Sequence, residues 1–577
     1  MNDILRAEYP RPQWKREEWM TLNGIWDFSF EQDVFDQKIC VPFAYEAKLS
    51  GIDRKKFHDR VWYRRSFTIP EEWKKKHVIL HFGAVDYECS VWVNNKHAVS
   101  HIGGQIGFYA DITDLLVDGT NELVVCAKDY HLELDIPRGK QFWKEESASI
   151  FYTATTGIWQ SVWLEPVSEK YIKQVFITPL FDEKAVKFEY ELENSQGCSL
   201  DIIITFEGKL VSKTTTLVQK TKGNITVGID EAVLGCWNMI EDLAWTPEQP
   251  RLFDVEFQLK EQENIIDRVS SYFGMRKISI ENGRFLLNNR PYFQRLILDQ
   301  GYWPEGLMTA PSDEAFIRDI QLAKEMGFNG ARKHQKVEDP RFLYHADRLG
   351  FLVWGELGSG YNYSRRLATA MMQEWTEVVY RDYNHPCIVA WAPLNESWGV
   401  LEIAQQKEQQ NFCKALSSVI KAMDTTRLIS DNDGWEHVES DLLTIHDYES
   451  DRETLLKRYS SLENIIKAQP CQRALYVNGS HYNKEPILVS EFGGISFEKN
   501  GTKGWGYSNA SSEEDFLRRY ADVVTPLLQS EHIQGFCYTQ LCDVEQEING
   551  LLTYDRHPKV DMEKIRKITC GIMDFYE

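Results

Sequence analysis

The chain has 577 residues, 43% of them hydrophobic and 26% charged, and therefore predicts a folded protein of three or four domains rather than one core. Its formal net charge of −22 argues against nucleic acid and against an anionic membrane as partners, because their phosphate groups would be repelled. The first residues lack the pattern of a secretory signal, and no stretch approaches a membrane span, so we expect a cytoplasmic protein.

The 11 cysteines are scattered, without CxxC pairs or zinc-finger spacing. Reduced and mostly buried thiols are the simplest interpretation, and they agree with a cytoplasmic location. A metal site formed by His334, His446 and Asp433 is an alternative, but no HxH or HExxH spacing supports it. We therefore expect neither a metal nor a cofactor.

Residues 1–166 read as an N-terminal β-sandwich, specifically a jelly roll, because short runs such as Val61–Ile69 and Glu122–Ala127 alternate between apolar and polar residues. Asn94-Asn95-Lys96 predicts a hairpin turn. The loop Asp135–Trp143 combines basic, polar and aromatic residues. It either reaches a ligand site or packs Trp143 on its own domain, and the sequence favours neither interpretation.

Residues 167–275 form a second β segment with about the strand count of an immunoglobulin-like sandwich. It contains no cluster of carboxylates or histidines, so we interpret it as a structural spacer. From residue 276 to 577, strands alternate with amphipathic helices, which predicts a TIM (β/α)8 barrel. The eight predicted strands are Tyr292–Asp299, Phe328–Arg332, Phe351–Leu357, Ile388–Glu396, Leu428–Asp433, Leu442–Tyr448, Ile487–Gly493 and Ile533–Leu541.

Helix signals support this pattern between the first strands of the barrel. Ser312 is a predicted N-cap, and Gly327 follows the apolar positions of that helix. Asp339-Pro340 opens the next helix, with proline at its first position, and Gly350 ends it. An acidic run, Asp543–Gly550, is expected to cover the barrel mouth after the eighth strand, with substrate contact by Asp543 or Glu545 the less favoured interpretation.

Two of the predicted strands carry a glutamate at or near their carboxyl end, Glu396 in the fourth and Glu491 in the seventh. The carboxyl ends of barrel strands form the active-site face, so we expect the two carboxylates to meet across the mouth. Cleavage of a glycosidic bond with retention uses two carboxyl groups about 5 to 5.5 Å apart. A single glutamate at a strand end is more often a surface or ion-paired residue, but two in matching contexts favour a catalytic pair.

Further polar and aromatic residues at the strand ends are candidates for binding substrate. Asn395 is expected to bind a sugar hydroxyl, Arg332 to hold a neighbouring carboxylate ionised, and Tyr448 to donate a hydrogen bond to the nucleophile. Glu356 competes for a catalytic role but is interpreted as structural. The full set of predicted substrate-binding residues is Asp299, Arg332, His334, Asn395, Trp435, His446, Tyr448 and Tyr538.

Taken in order along nearly the whole chain, several motifs resemble glycoside hydrolase family 2, which contains β-galactosidases, β-glucuronidases and β-mannosidases. They are Leu22-Asn-Gly-Ile-Trp-Asp-Phe28, Trp62-Tyr-Arg-Arg-Ser-Phe67, Thr156-Gly-Ile-Trp-Gln-Ser-Val-Trp-Leu-Glu-Pro166, Gly327-Phe-Asn-Gly-Ala-Arg-Lys-His334, Leu394-Asn-Glu-Ser397 and Ser490-Glu-Phe-Gly493. The resemblance implies that Glu396 is the acid/base and Glu491 the nucleophile of a retaining enzyme. It also implies the order jelly roll, immunoglobulin-like domain and barrel.

Departures from the family pattern bear on the sugar. The Asn-x-Lys motif of β-glucuronidases is not evident in Thr553–Lys559, and strand 8 ends in Tyr538-Thr-Gln where many relatives have a tryptophan. We therefore expect an exo-acting hydrolase of a glycoside or oligosaccharide that removes a neutral sugar, first a β-galactosidase and next an arabinosidase, with a β-glucuronidase as a further alternative. A non-catalytic carbohydrate-binding protein and a glycosyl-transferring enzyme are the rival hypotheses. A homodimer is compatible with such a chain, but no segment predicts one.

Overall fold

The computed structural model describes residues 4–229, 231–499, 501 and 503–573. The ends of the predicted first and third domains, residues 1–3 and 574–577, lie outside these described residues. Within the described part of the chain, no helix is both long and apolar enough to cross a membrane.

The first region is a sandwich of two antiparallel sheets, as the jelly-roll prediction requires. One sheet has, in spatial order, Met20–Thr21, Val162–Val167, His77–Phe82 and Phe108–Asp111. The other has Gln37–Val41, Gly24–Phe30, Arg60–Thr68, Thr120–Lys128, Glu88–Val93 and Lys96–Ile102. Alternate residues such as Val61 and Tyr63 are buried between the sheets. Asn94 and Asn95 both have positive φ, 50° and 63°, which forms the predicted hairpin turn.

The second region is also a two-sheet antiparallel sandwich, in agreement with the immunoglobulin-like prediction. Its sheets are Tyr171–Leu180, Ala185–Glu193 and Lys222–Gly228, and Lys209–Leu217, Ser199–Phe206, Phe253–Glu261 and Asn264–Phe273. Phe188 and Phe257 meet between them at a ring-centroid distance of 5.7 Å. Two single-turn helices, Glu231–Leu234 and Met239–Asp242, follow the sheet strand that ends at Gly228.

The third region is a barrel of eight parallel strands that overlap all eight predicted ones. In chain order they are β1 Gln294–Asp299, β2 Gly330–Lys333, β3 Leu352–Glu356, β4 Ile388–Ala392, β5 Leu428–Ile429, β6 Leu443–Asp447, β7 Ile487–Gly493 and β8 Ile533–Thr539. The spatial order is β5-β4-β3-β2-β1-β8-β7-β6. Side chains complete the ring between β5 and β6, since the hydroxyl oxygens of Ser430 and Thr444 are 3.0 Å apart.

The helices outside the barrel are α1 Asp313–Glu325, α2 Pro340–Leu349, α3 Arg365–Asp382, α4 Lys407–Met423, α5 Arg452–Arg458, α6 Leu462–Lys467, α7 Glu513–Gln529 and α8 Met562–Thr569. Asp339 caps α2 by accepting a hydrogen bond from the Arg341 amide, and Gly350 ends it with a positive φ of 69°. Ser312 has the extended backbone of an N-cap before α1, but its side chain accepts no capping hydrogen bond, so that part of the prediction is wrong.

A small sheet of Ile278–Glu281, Arg284–Leu287 and Arg290–Pro291 precedes β1 and contributes Phe285 and Leu287 to the barrel core. A two-stranded pair, Ile495–Ser496 and Ser508–Asn509, follows β7. The strands β4 and β7 are buried along their whole length, which explains their continuous apolar sequence. The carboxyl ends of these buried strands face one mouth, where the charged residues collect.

Candidate active site

Glu396 lies in a tight turn after β4, not in the strand as we predicted from the sequence. Strand β4 ends at Ala392, and both Glu396 and Ser397 have left-handed backbone, with φ of 52° and 60°. The Glu396 amide donates to the carbonyl of Asp433 at 2.9 Å, which fixes the turn to the segment after β5. Left-handed backbone at residues other than glycine costs free energy and collects at functional sites.

Glu491 lies inside β7 and is buried. A carboxylate oxygen of Glu396, a carboxylate oxygen of Glu491 and a ring nitrogen of His446 all lie within 4.8 Å of one another. The structure thus brings the two glutamates together at the barrel mouth, at about the separation that retaining glycosidases use.

Two tyrosines hold Glu491 from one side. Tyr448, just after β6, donates a hydrogen bond from its hydroxyl to Glu491 Oε1 at 2.5 Å. The ring of Tyr507 stacks on that of Tyr448 at a centroid distance of 3.7 Å, with the planes 11° apart. Because the half-buried Tyr448 lies between this ring and the carboxylate, its hydroxyl has a fixed direction.

Arg332, at the end of β2, is a fully buried centre of the site. Its guanidinium forms 2.7 Å ion pairs with Glu356 and with Asp433, and it donates to Asn395 Oδ1 at 3.0 Å. Its Nη1 also lies 3.5 Å from Glu491 Oε2. Burial opposes the charge of the guanidinium, but the carboxylates of Asp433 and Glu356 outweigh it and raise the pKa of Arg332 above its usual value.

His446 bridges three carboxylates. Its Nδ1 lies 2.8 Å from Glu396 Oε1, and its Nε2 lies 2.8 Å from Asp433 Oδ2. Burial lowers the pKa of His446, but the charge of Glu491 and the hydrogen bonds to Asp433 and Glu396 raise it to about 10. The imidazole is therefore protonated at neutral pH, and both nitrogens donate.

Glu491 is correspondingly held as an anion. Burial alone would raise the pKa of Glu491, but nearby positive charges, first that of His446 and also that of Arg332, lower it to about 2. Its Oε2 is buried and has no hydrogen-bond donor. A carboxylate that is charged and has one unoccupied oxygen is suited to attack an electrophilic carbon.

The ligand atoms of Glu396, His446 and Glu491 lie close enough together to surround an ion. The surrounding carboxylates hold His446 as a cation here, because they raise its pKa to about 10.

Three more predicted residues line the same cluster. His334 Nδ1 lies 3.0 Å from Glu356 Oε2. Asn395 has a buried side-chain nitrogen without a hydrogen-bond acceptor, and so has Trp435, whose ring lies 5.6 Å from that of His446. Unpaired buried donors cost free energy unless a ligand satisfies them, so these two side chains are well placed to meet a hydroxyl-rich molecule.

The structure does not bring Asp299 and Tyr538 into this cluster. Asp299, at the end of β1, forms a 2.7 Å ion pair with Lys333 and accepts from the Gly301 amide. Tyr538 packs on Tyr520 of α7 at a centroid distance of 4.9 Å, and its oxygen accepts from the amide of Ile495. Tyr538 thus faces the helical layer outside the barrel.

The loop Asp135–Trp143 of the first sandwich reaches the barrel mouth. The amide of Gly139 donates to the carbonyl of Ser359 after β3, and Trp143 packs on Tyr361 at a centroid distance of 5.1 Å. Lys140 places its ammonium 5.2 Å from the ring centroid of Trp398. Sequence reasoning singled out this loop, but it missed Trp398 and Tyr507, whose positions depend on the folding of long loops.

The acidic run after β8 also contacts the first sandwich. Glu545 accepts hydrogen bonds from the amide and hydroxyl of Thr153, and Glu547 accepts from the hydroxyl of Tyr152 at 2.5 Å. These carboxylates therefore join the sandwich to the rim of the barrel.

Comparison with known proteins agrees with this architecture. The family profile "Glycosyl hydrolases family 2, TIM barrel domain" matches residues 278–573, the family's sugar binding domain matches residues 20–164, and a third family 2 profile matches residues 170–276. The chain belongs to glycosyl hydrolase family 2.

Curated family 2 relatives include the β-galactosidase of Thermoanaerobacter pseudethanolicus, which is 25% identical over 70% of this chain and 53% of its own length. The β-glucuronidase of Rattus norvegicus is 25% identical over 82% of this chain and 78% of its own. The chain spans about half the length of the first two relatives it matches, with 53% and 44% of their residues covered.

Among solved structures, the β-glucuronidase of Bifidobacterium dentium aligns with a TM-score of 0.79 at 19% identity, covering 99% of both chains. That of Dictyoglomus thermophilum aligns with a TM-score of 0.78 at 21% identity, covering 99% of this chain and 100% of its own. At these identities the likeness shows that the folds are shared over the whole chain.

Proposed function

We propose that this family 2 protein is a retaining exo-β-glycosidase in which Glu491 is the nucleophile and Glu396 the acid/base. The observation that carries the proposal is the pair of carboxylates with oxygens within 4.8 Å, too close to leave room for a water molecule between carboxylate and sugar. In a first step Glu491 attacks the anomeric carbon while Glu396 protonates the leaving oxygen. In a second step Glu396 deprotonates water, which releases the sugar from Glu491.

The two roles follow from the different surroundings of the glutamates. Glu491 has its pKa lowered to about 2, so it is ionised and cannot deliver a proton near neutral pH. Tyr448 fixes one of its oxygens, which leaves the other free to attack. Glu396 is less buried and contacts protonated His446, a position from which a proton can be passed and replaced.

The substrate is proposed to be a terminal β-galactoside or β-glucuronide, and the named relatives support both equally. The sequence departure at Thr553–Lys559 does not decide against an acidic sugar, because recognition can come from another cation at the mouth. Lys559 itself is fully buried and paired with Asp543 at 2.7 Å, so it is not available to a ligand.

A panel of nitrophenyl glycosides tests the proposal. We expect the wild-type protein to release nitrophenol from at least one β-glycoside, with the first sugar product in the β configuration by NMR. Glu491→Gln should lose activity by at least roughly 10³-fold, because the nucleophile is removed while the volume is kept. A non-catalytic binding protein would release no nitrophenol from any substrate.

Glu374→Gln is a matched control on helix α3. Glu374 is buried, and its pKa is raised by burial and by the charge of Asp86, so glutamine is a shape-matched replacement at a second buried carboxyl group. It accepts a hydrogen bond from Tyr87 and lies outside the Arg332 cluster. Full activity in this variant, together with an inactive Glu491→Gln, would tie the loss to the site rather than to a buried carboxamide.

A further inference from the structure

One buried cation at the barrel mouth, Lys140, belongs to the first sandwich and not to the barrel. The loop Asp135–Trp143 is held there by backbone contacts, since the amides of Arg138 and Gly139 both donate to the carbonyl of Ser359, at 3.1 and 3.0 Å. A side chain at Gly139, where φ is +63°, would meet the carbonyl oxygen of Gln335 at 2.2 Å. Only glycine allows this approach, and it fixes the position of the next residue, Lys140.

Lys140 is only 6% exposed, and its ammonium lies over the ring of Trp398, two residues after Glu396. Its positive charge is also close enough to contribute to lowering the pKa of Glu491. The lysine therefore lies beside the turn that carries Glu396 and within electrostatic reach of Glu491. Phe151 and Tyr361 pack around the same tryptophan, at centroid distances of 5.8 and 5.6 Å, and form an aromatic wall beside the ammonium.

Other cations around the mouth are already engaged by carboxylates. Arg332 pairs with Glu356 and Asp433, Arg473 pairs with Glu436 at 2.8 Å, and Lys559 pairs with Asp543. In the part of the chain that the structure describes, no carboxylate oxygen lies within ion-pair distance of the Lys140 ammonium. A largely buried ammonium without an anion is unfavourable, and a bound anion would compensate it.

We propose that Lys140 binds the carboxylate of a terminal uronic acid and so selects acidic over neutral sugars. The inference rests on the proposed glycosidase function and specifies its substrate class. A carboxylate in place of the hydroxymethyl group of a hexose adds one oxygen atom and a full negative charge. A neutral hydroxyl would leave the lysine charge uncompensated beside the apolar wall, whereas the carboxylate forms a charge-assisted hydrogen bond.

The test compares nitrophenyl β-glucuronide with β-glucoside, and β-galacturonide with β-galactoside, because each pair differs only at the acidic group. For the wild type we expect kcat/KM to favour the uronide of at least one pair. Lys140→Met should lower the ratio of uronide to hexoside kcat/KM roughly 10- to 100-fold, the loss expected for one buried charge-assisted hydrogen bond. Lys140→Arg keeps the charge and should recover part of the ratio.

Lys144→Met is the matched control. Lys144 belongs to the chain just after the same loop and also lies near an aromatic ring, that of Phe142 at 5.8 Å, but its side chain is exposed. Removing its charge should leave the uronide-to-hexoside ratio unchanged. Thermal unfolding of the three variants checks that the loop substitutions do not unfold the protein.

The outcomes separate this inference from the proposed function. A wild type that prefers the neutral sugar of both pairs would overturn the role of Lys140 while leaving the glycosidase intact. The same holds if Lys140→Met lowers uronide and hexoside rates equally and moves the acidic limb of activity, since the lysine would then act on Glu491. If the wild type cleaves no glycoside, calorimetric binding of nitrophenyl glucuronide decides: binding weakened in Lys140→Met supports the carboxylate site, and unchanged binding overturns it.

Discussion

Two buried charge clusters begin at adjacent residues of β2, and they differ in how completely they are paired. Arg332 points into the barrel and Lys333 points to the opposite face of the strand. Lys333 pairs with Asp299 at 2.7 Å and with Glu338 at 2.8 Å. Lys336 joins them by pairing with Glu338 at 3.0 Å, and it donates to the carbonyls of residues 301 and 308.

In the Lys333 cluster no charged atom is left buried without a hydrogen bond, whereas the Arg332 cluster leaves Glu491 Oε2 and Asn395 Nδ2 unpaired. Burial and charge are similar in both places. The comparison teaches that incomplete pairing, rather than burial of charge as such, distinguishes a site prepared for a ligand from one that stabilises the fold.

Among the variants that test this comparison, Glu396→Gln is expected to have the largest effect on activity. It removes the proposed proton donor from the Arg332 cluster, and hydrolysis of an alkyl glycoside should fall roughly 10²- to 10⁴-fold. A dinitrophenyl glycoside of the same sugar needs little protonation of its leaving group, so its first step should be far less affected. Burst kinetics on the two substrates measure the difference. Equal losses in the first step would contradict the role of Glu396.

Lys333→Met should disrupt the Lys333 cluster instead. It leaves the carboxylate of Asp299 buried without its ion-pair partner and Glu338 with Lys336 alone, and the barrel should lose about 3 to 5 kcal/mol of stability. Urea unfolding followed by tryptophan fluorescence measures the shift, and activity per folded molecule should change much less than in Glu396→Gln. A stable but inactive Lys333→Met protein would mean that the two clusters are not functionally distinct.

Tyr448→Phe removes one hydrogen bond to Glu491 and leaves the ring stacked on Tyr507. We expect kcat/KM to fall roughly 10- to 100-fold, because a hydrogen bond to a charged group is lost from the reacting carboxylate. Tyr507→Phe keeps the stacked ring and serves as the control with a smaller loss. A larger loss in Tyr507→Phe would assign the positioning role to the other tyrosine.

His446→Asn is expected to shift the pH dependence by about one unit. Protonated His446 favours the ionised form of Glu491, so its loss should raise the pKa of that carboxyl group above about 2 and move the acidic limb of kcat/KM to higher pH. Ionised Glu491 contributes stability above its ordinary pKa of 4.5, which is lost as the pH falls toward about 2. An acidic limb that moves to lower pH would reverse the assigned sign.

The three-part fold could be predicted from the sequence because the spacing of apolar residues differs between strands and helices. Both glutamates could be predicted because each follows or ends an apolar run, a pattern that is visible locally. It could not place Glu396 beyond the end of β4, since the left-handed turn depends on a hydrogen bond to Asp433. Asp299 was predicted as a substrate contact, but the ion pair that occupies it comes from the neighbouring strand. Tyr538 shows a further limit. In a strand of mostly apolar residues, the sequence does not reveal which side chains point into the barrel and which point outward.

Lys140, Trp398 and Tyr507 could not be derived from local sequence either. Each lies on a loop whose path is fixed by docking against another region, and no periodicity records that docking. The substrate-binding roles of the remaining predicted residues stay predictions that the variants above can test.

The hydrogen bonds between the first sandwich and the rim of the barrel determine what a barrel produced alone would lose. A barrel produced alone would retain the glutamate pair, the arginine and the histidine. It would also carry Glu545 and Glu547 without the donors from Thr153 and Tyr152, although Glu547 would keep its hydrogen bond from Asn549. Such a fragment would repel acidic ligands more strongly, so under the two proposals above selectivity would require the assembled chain, whereas bond cleavage would require only the barrel.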